Sequence, residues 1–299
     1  MQKKAKVGIV CCSNGLSVTI NPQLQQLKEF LIDKGIEPVF SAYVFKQKDM
    51  QAGTAKERAK ALLQFYEDEK IDAILDLSGG DIANEILPYL DYEQIAKAKN
   101  TQGNPKMLWG YSDLTVLLNA IYAKTGNCGV LYQARFLLEH RKEKWTKHLV
   151  DWLVEDDYTE SGENLFTCSY EFIQGTTLSG IVVGGNIRCL LKLAGTEYFP
   201  DMTDKVLLLE ARSGLEPQLR TYFAQLKQMG VFEKISGILL GTFTQFEQQK
   251  EGQMKIVQLV KEVAGNKLPI VKTKDIGHAL DAKAIRIGKR INLNEGRKR

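Results

Sequence analysis

Short apolar runs alternate with amphipathic stretches through the first half of the chain. Lys6-Val-Gly-Ile-Val-Cys11 reads as a buried strand, followed by the polar loop Ser13-Asn-Gly-Leu-Ser17. Asn21-Pro22 opens a helix in which Leu24, Leu27, Phe30 and Leu31 recur at helical spacing, closed by Gly35. Residues 37–40 form a second short strand. Thr54 and Glu57 have the spacing of a capping box, ahead of a helix with Ala59, Leu62, Leu63 and Phe65 on its apolar side. Residues 71–76 and 106–109 are further strands. One runs into Ser78-Gly-Gly-Asp81 and a short helix. The other runs into Gly110-Tyr-Ser-Asp113 and a helix from Leu114 to Lys124 that stops at Gly126.

Repeated strand–loop–helix units favour a mostly parallel, doubly wound sheet covered on both faces. Ligands of such sheets collect at the carboxyl ends of the strands. The loops at 13–17, 78–81 and 110–113 are therefore expected to be neighbours. The texture changes after about residue 154, where Glu155-Asp-Asp-Tyr-Thr-Glu160 opens a polar, acidic stretch. Beyond it, strands at 205–209, 235–240 and 270–273 mix with helices at about 216–229 and 254–264. The expected division is a domain over residues 1–158, a linker over 159–172 and a second domain over 173–299. There is no repeat of fixed period and no low-complexity segment.

A length of 299 residues suits two domains. The formal charge of +4 is mild, and much of the excess sits in Lys3-Lys4-Ala-Lys6 and Gly296-Arg-Lys-Arg299. Terminal clusters of that kind read as solvated tails, so no nucleic-acid partner is expected. No apolar run approaches the roughly 20 residues of a membrane span. The N-terminus also lacks the pattern of a secretory signal. Cys11, Cys12, Cys128, Cys168 and Cys189 are odd in number and never spaced C-x-x-C, which argues against both a disulfide framework and a zinc site. Neither metal nor cofactor is expected, and a reducing cytoplasm is the natural setting.

The candidate chemistry begins at Ser112. A strand, a Gly, then Tyr-Ser-Asp and a helix place one hydroxyl at a sharp turn, beside the N–H groups and partial positive charge of a helix N-terminus. Both help a serine nucleophile and the oxyanion it creates. The competing reading is a plain helix cap, for which serine is a favoured residue. The segment is not G-x-S-x-G, because Leu114 stands at the final position. Among possible bases, His278 follows a strand and a Gly, whereas His140 and His148 lie in a charged stretch that reads as solvated surface. Glu210 closes the apolar run Lys205-Val-Leu-Leu-Leu-Glu210 and is the candidate carboxylate to orient an imidazole. Cys11 or Cys12 as a nucleophile is a further alternative, weakened by their place in a buried strand.

Four ordered blocks resemble the LD-carboxypeptidase family of serine peptidases, which also contains the microcin C immunity peptidases. They are Ser78-Gly-Gly-Asp81 with Leu87-Pro-Tyr-Leu-Asp91; Gly110-Tyr-Ser-Asp-Leu-Thr115; Leu178 to Asn186 with Leu193-Ala-Gly-Thr196 and Leu208-Leu-Glu210; and Gly277-His278 with Ile287-Gly288. The resemblance implies an N-terminal flavodoxin-like α/β domain carrying Ser112 and a smaller, swivelling-type C-terminal α/β domain carrying Glu210 and His278. It implies Ser112 as nucleophile, His278 as base and Glu210 as its orienting group. The oxyanion hole would use the N–H groups of Asp113 and Gly80, while Gly79 and Ser78 would line the substrate cleft. The implied reaction is hydrolysis of the L,D-peptide bond to the terminal D-Ala of murein tetrapeptides, by a homodimer. A peptidyl-nucleotide of the microcin C type is the alternative substrate, and a non-catalytic small-molecule-binding protein is the alternative of another class. The chain departs from many murein-recycling members at Ser78, at Gln133-Ala134 and at Asp281-Ala282. Arg135 and Arg188 are the basic residues nearest these blocks, and each is a candidate for gripping a substrate carboxylate.

Overall fold

A computed structural model describes residues 5–47, 49–134 and 168–296. The acidic stretch that opens at Glu155, most of the expected 159–172 linker, His140, His148 and Arg135 lie outside the described residues.

The first sheet is built from β1 (Ala5–Val10), β2 (Ile36–Phe40), β3 (Ala73–Asp76), β4 (Met107–Gly110) and β5 (Gly129–Leu131). They lie parallel in the order β2-β1-β3-β4-β5. That is the flavodoxin-like winding. All four residues of β3 are buried, as expected for a parallel strand covered on both faces. Connecting helices include α1 (Asn21–Asp33), α2 (Ala55–Glu67), α3 (Tyr92–Lys97) and α4 (Thr115–Thr125). The Thr54–Glu57 capping box forms at the start of α2. The short helix expected after Asp81 is a 3-10 helix at Ala83–Tyr89.

The second sheet contains β6 (Glu171–Gln174), β7 (Thr177–Asn186), β8 (Lys205–Ala211), β9 (Gly237–Phe243), β10 (Ile270–Lys272) and β12 (Arg290–Asn294). Strands β7 to β10 run parallel, with β12 and β6 antiparallel at the two edges. Its helices are α5 (Ile187–Leu190), α6 (Glu216–Gln228), α7 (Thr244–Glu247) and α8 (Gly252–Ala264). One strand crosses between the halves: β11 (Ile285–Ile287) pairs antiparallel with β5 and completes the first sheet.

Helix α4 ties the two sheets together. Every residue from Thr115 to Ile121 is buried, so it is an internal helix rather than an amphipathic surface one. Leu117 and Leu118 share one core with Leu131 of the first sheet and with Val182, Leu208 and Leu239 of the second. The polar groups on α4 are matched across this junction. Asn119 Nδ2 donates to Gly184 O at 2.9 Å, and Gly184 N donates back to Asn119 Oδ1 at 2.7 Å. Asn186 N donates to Thr115 Oγ1 at 3.0 Å. Unmatched, each of these buried groups would cost about 1–3 kcal/mol, so the contacts select one docking of the helix on β7. Among the described residues, no helix is long and apolar enough to cross a membrane.

Candidate active site

A cavity of about 520 Å³ opens at the carboxyl ends of the first sheet. The three loops expected to be neighbours meet there: Asn14 to Ser17 from the first, Gly79 and Gly80 from the second, and Ser112 from the third. His278 and Arg212 reach the same cavity from the second half of the chain.

Ser112 follows β4 by two residues and has φ of +54°. A non-glycine residue in the left-handed region costs roughly 1–2 kcal/mol and is found where surrounding structure enforces it. Tyr111 before it is extended, and Ser112 begins a single 3-10 turn, Ser112–Leu114, that runs straight into α4. The residues at the cap positions of the turn and the helix are Tyr111 and Leu114, and neither position has a side-chain cap bond. The plain helix-cap reading of Ser112 is therefore not what the structure has. Its side chain is presented to the cavity at a strained strand-to-helix elbow.

His278 and Glu210 are joined by a hydrogen bond of 2.7 Å between Nδ1 and Oε2. Glu210 lies near the end of β8 and is fully buried, while the His278 side chain is 7 % exposed. A carboxylate on Nδ1 leaves Nε2 free of its proton when the imidazole is neutral. Nε2 is buried, with no hydrogen-bond partner among the described residues. No hydrogen bond joins Ser112 to His278, although both line the cavity. The imidazole packs on the Tyr111 ring, with centroids 4.5 Å apart and planes at 54°. Burial, then the nearby Glu210 carboxylate, raises the Tyr111 hydroxyl well above its ordinary pKa, so it remains a phenol. Gly277 sets the approach of this segment: a Cβ there would overlap the Thr242 hydroxyl, and its φ of +150° disfavours a side chain.

The Gly-Gly turn is shaped just as closely. A Cβ on Gly80 would overlap the Asn14 side chain, and Asn14 N donates to Gly79 O at 3.2 Å. Residues of the second half hold this turn from outside. Arg188 pairs with Asp81 and donates to Gly80 O at 3.4 Å, and Lys192 donates to Asp81 O at 2.8 Å. The Arg188 hydrogen bond keeps the Asp81 carboxyl below its usual range.

The Asp113 side chain points away from the cavity and is fully buried. It receives Lys192 Nζ at 2.5 Å, Ser13 Oγ at 2.7 Å and Ala83 N at 2.9 Å. One carboxylate thus links the elbow, the first loop, the segment after the Gly-Gly turn and the second half of the chain. Sequence reasoning missed this role of Lys192, because nothing local marks a lysine whose partner lies 79 positions away.

Ser78 does not line the cavity as expected. Its hydroxyl donates to Asp76 Oδ1 at 2.5 Å and accepts from Ser13 N at 3.0 Å, so it braces the loops from behind. Cys11 and Cys12 are equally remote from the chemistry. Both are buried, and burial with the Asp76 carboxylate pushes the Cys12 thiol well above its ordinary pKa. A thiol so disfavoured as thiolate is a poor nucleophile. Arg188 is occupied by Asp81, whereas Arg212, passed over in the sequence, lines the cavity.

The LD-carboxypeptidase N-terminal domain matches residues 7–133, and the LD-carboxypeptidase C-terminal domain matches residues 179–293. This chain belongs to the LD-carboxypeptidase family. It is a serine-type carboxypeptidase by that membership. The microcin C7 self-immunity protein MccF of Escherichia coli is 26% identical over 96% of this chain and 90% of its own length. A Bacillus subtilis protein named "Probable murein peptide carboxypeptidase" is 27% identical over 90% of this chain and 83% of its own. The crystal structure of an MccF-like protein from Bacillus anthracis superposes with a TM-score of 0.83, at 24% identity, covering 100% of this chain and 96% of that one.

Proposed function

We propose that this chain cleaves the L,D-peptide bond to the terminal D-Ala of murein tetrapeptides, with Ser112 as nucleophile, His278 as general base and Glu210 orienting the imidazole. The observation that carries this reading is the 2.7 Å Glu210–His278 hydrogen bond, made by an imidazole whose other nitrogen has no partner among the described residues and which shares a cavity with Ser112. In this mechanism His278 Nε2 takes the Ser112 proton as Oγ bonds to the scissile carbonyl carbon. The oxyanion is held by the N–H groups of Gly80 and Asp113, and each such donor is typically worth about 10²–10³ in rate. Collapse breaks the carbon–nitrogen bond, and His278 returns the proton to the leaving amine. Water, deprotonated by the same imidazole, then attacks the acyl-enzyme and frees the shortened peptide. Glu210 stabilises the imidazolium in both halves of the cycle.

A peptidyl-nucleotide of the microcin C type is the second reading, favoured by the likeness to the E. coli self-immunity protein. In either case the enzyme acts in the cytoplasm as a homodimer; the five free cysteines support the reducing compartment, and the family resemblance supports the dimer. The test is mass-spectrometric detection of D-Ala released from a defined tetrapeptide, alongside a processed microcin. Release by wild type and none by Ser112→Ala is expected. Full turnover by purified Ser112→Ala overturns the assignment, and turnover of the microcin alone moves the substrate to the second reading.

A further inference from the structure

The walls of the cavity are unusual in their charge. Among the described residues no Asp or Glu lines it, and its ionisable side chains are Lys46, Arg212 and His278. Lys46 has no acidic partner among the described residues; its ammonium meets only Met50 Sδ, at 3.6 Å. The Arg212 guanidinium makes no hydrogen bond or ion pair with any described residue, while Arg188, the other arginine near the elbow, is spent on Asp81 and Gly80. An arginine presents five donors in a fork that matches a carboxylate. Left unpartnered in a concave site, it is a ready anion receptor.

Its placement follows from the strand that holds Glu210. Side chains two apart on a strand point to the same face. Arg212 directly follows β8, two residues after Glu210, and it lines the same cavity as His278, the partner of Glu210. Its backbone is held from its carbonyl onward by one residue: Gln245 N donates to Arg212 O at 3.0 Å, and Gly214 N donates to Gln245 Oε1 at 2.8 Å. The guanidinium charge is felt at the Tyr111 hydroxyl, next to the elbow. A cation is thus anchored at its base, without a partner among the described residues at its tip, and part of the wall of the cavity that Ser112 and His278 share.

We infer that Arg212 is a specificity-determining residue that binds a free carboxylate of the peptide beside the scissile bond. This rests on the proposed serine-peptidase reading of the site and names what that reading leaves open: the group that selects a chain end. Arg212 stays solvent-exposed, so the strength of the pair comes from the two-pronged, charge-assisted geometry of arginine on a carboxylate rather than from burial. It contributes to ground state and transition state alike, because the carboxylate takes no part in bond making. Its loss therefore appears in KM rather than in kcat.

The test compares a tetrapeptide ending in free D-Ala with the same peptide ending in D-Ala amide, on wild type, Arg212→Gln and Arg212→Lys. Wild type is expected to prefer the acid. Arg212→Gln is expected to raise KM for the acid by about 10–100-fold, with kcat within about threefold, and to erase the preference over the amide. Arg212→Lys keeps part of the preference. Calorimetric binding of the acid to Ser112→Ala, with and without Arg212→Gln, reads the same contact without turnover. An unchanged KM and an unchanged acid preference in Arg212→Gln overturn the proposal, as does wild-type protein that binds acid and amide equally or binds neither. Turnover that survives in Ser112→Ala defeats the triad instead, while the acid–amide contrast still judges Arg212.

Discussion

The two sides of the cavity are held by different means. On the elbow side, Ser112 is placed within a few residues by β4, a residue at φ +54° and the 3-10 turn into α4. On the other side, that of the proposed base, His278 takes its place from Glu210, 68 positions earlier, and from Gly277 lying against Thr242. Placement on the elbow side stores local backbone strain. Placement on the base side is spread over packing between distant segments. The elbow should therefore tolerate loss of its hydroxyl without unfolding, whereas small changes of volume should disturb the base.

The largest effect expected is at the elbow. Ser112→Gly should abolish turnover, by on the order of 10⁴–10⁶-fold. It should also raise unfolding stability by about 1 kcal/mol, because glycine relieves the left-handed backbone. Urea denaturation measured beside the activity assay checks both, and a destabilised Ser112→Gly would show that the elbow is not strained. Glu210→Gln should cost about 10²–10⁴ in kcat with KM little changed, since an amide cannot stabilise the imidazolium; a normal kcat would remove Glu210 from the chemistry.

Gly277→Ala comes next. A Cβ there meets the Thr242 hydroxyl, so a loss of about 1–3 kcal/mol is expected from overpacking, with a fall in kcat as His278 shifts. Adding Thr242→Gly should restore part of both, and a double-mutant cycle with no coupling would break the account.

Lys192→Met leaves the buried Asp113 carboxylate without its cation. Because the lysine side chain is 18 % exposed, the loss should lie toward the lower end of the range for broken buried pairs, about 3 kcal/mol. As Asp113 braces the turn proposed to hold the oxyanion, kcat should fall more than KM rises, with partial recovery in Lys192→Arg. Equal changes in both parameters would limit the pair to a structural role.

The smallest effect is on the outer clamp. Arg188 keeps the Asp81 carboxyl below its ordinary value. The folded value lies beneath the unfolded one, so the pair stabilises above the usual aspartate range and its contribution is lost as pH falls through the lowered value. Asp81→Asn should therefore be slightly less stable than wild type at neutral pH, with the gap closing below about pH 4. Both side chains are well exposed, so the gap is small; a gap that grows on acidification would reverse the sign of the argument.

Legibility in the sequence followed the same division. Strands β1 to β4, the α2 capping box and α4 with its Gly126 stop could be read from short-range pattern, because a buried parallel strand or a capped helix writes its signal within a dozen residues. Strand β7 was harder to see as ten residues of strand, since Gly180, Gly184 and Gly185 look like loop. The short β11 carries too little pattern to reveal that it leaves its own half and completes the first sheet. Ser78 looked like cleft lining because its neighbours Gly79 and Gly80 are; only the buried Asp76 carboxylate beneath it turns the hydroxyl inward.

By itself, the sequence determined the fold class, the family, and which serine, glutamate and histidine deserved notice, because each sits in a local motif whose chemistry can be named. Tertiary structure alone decided which of the remaining charges face the cavity. Lys192 and Arg188 are consumed in bracing, while Arg212 lines the cavity with no partner among the described residues. The reason is physical: a charge takes its role from the partners that burial brings to it, and those partners lie far away along the chain.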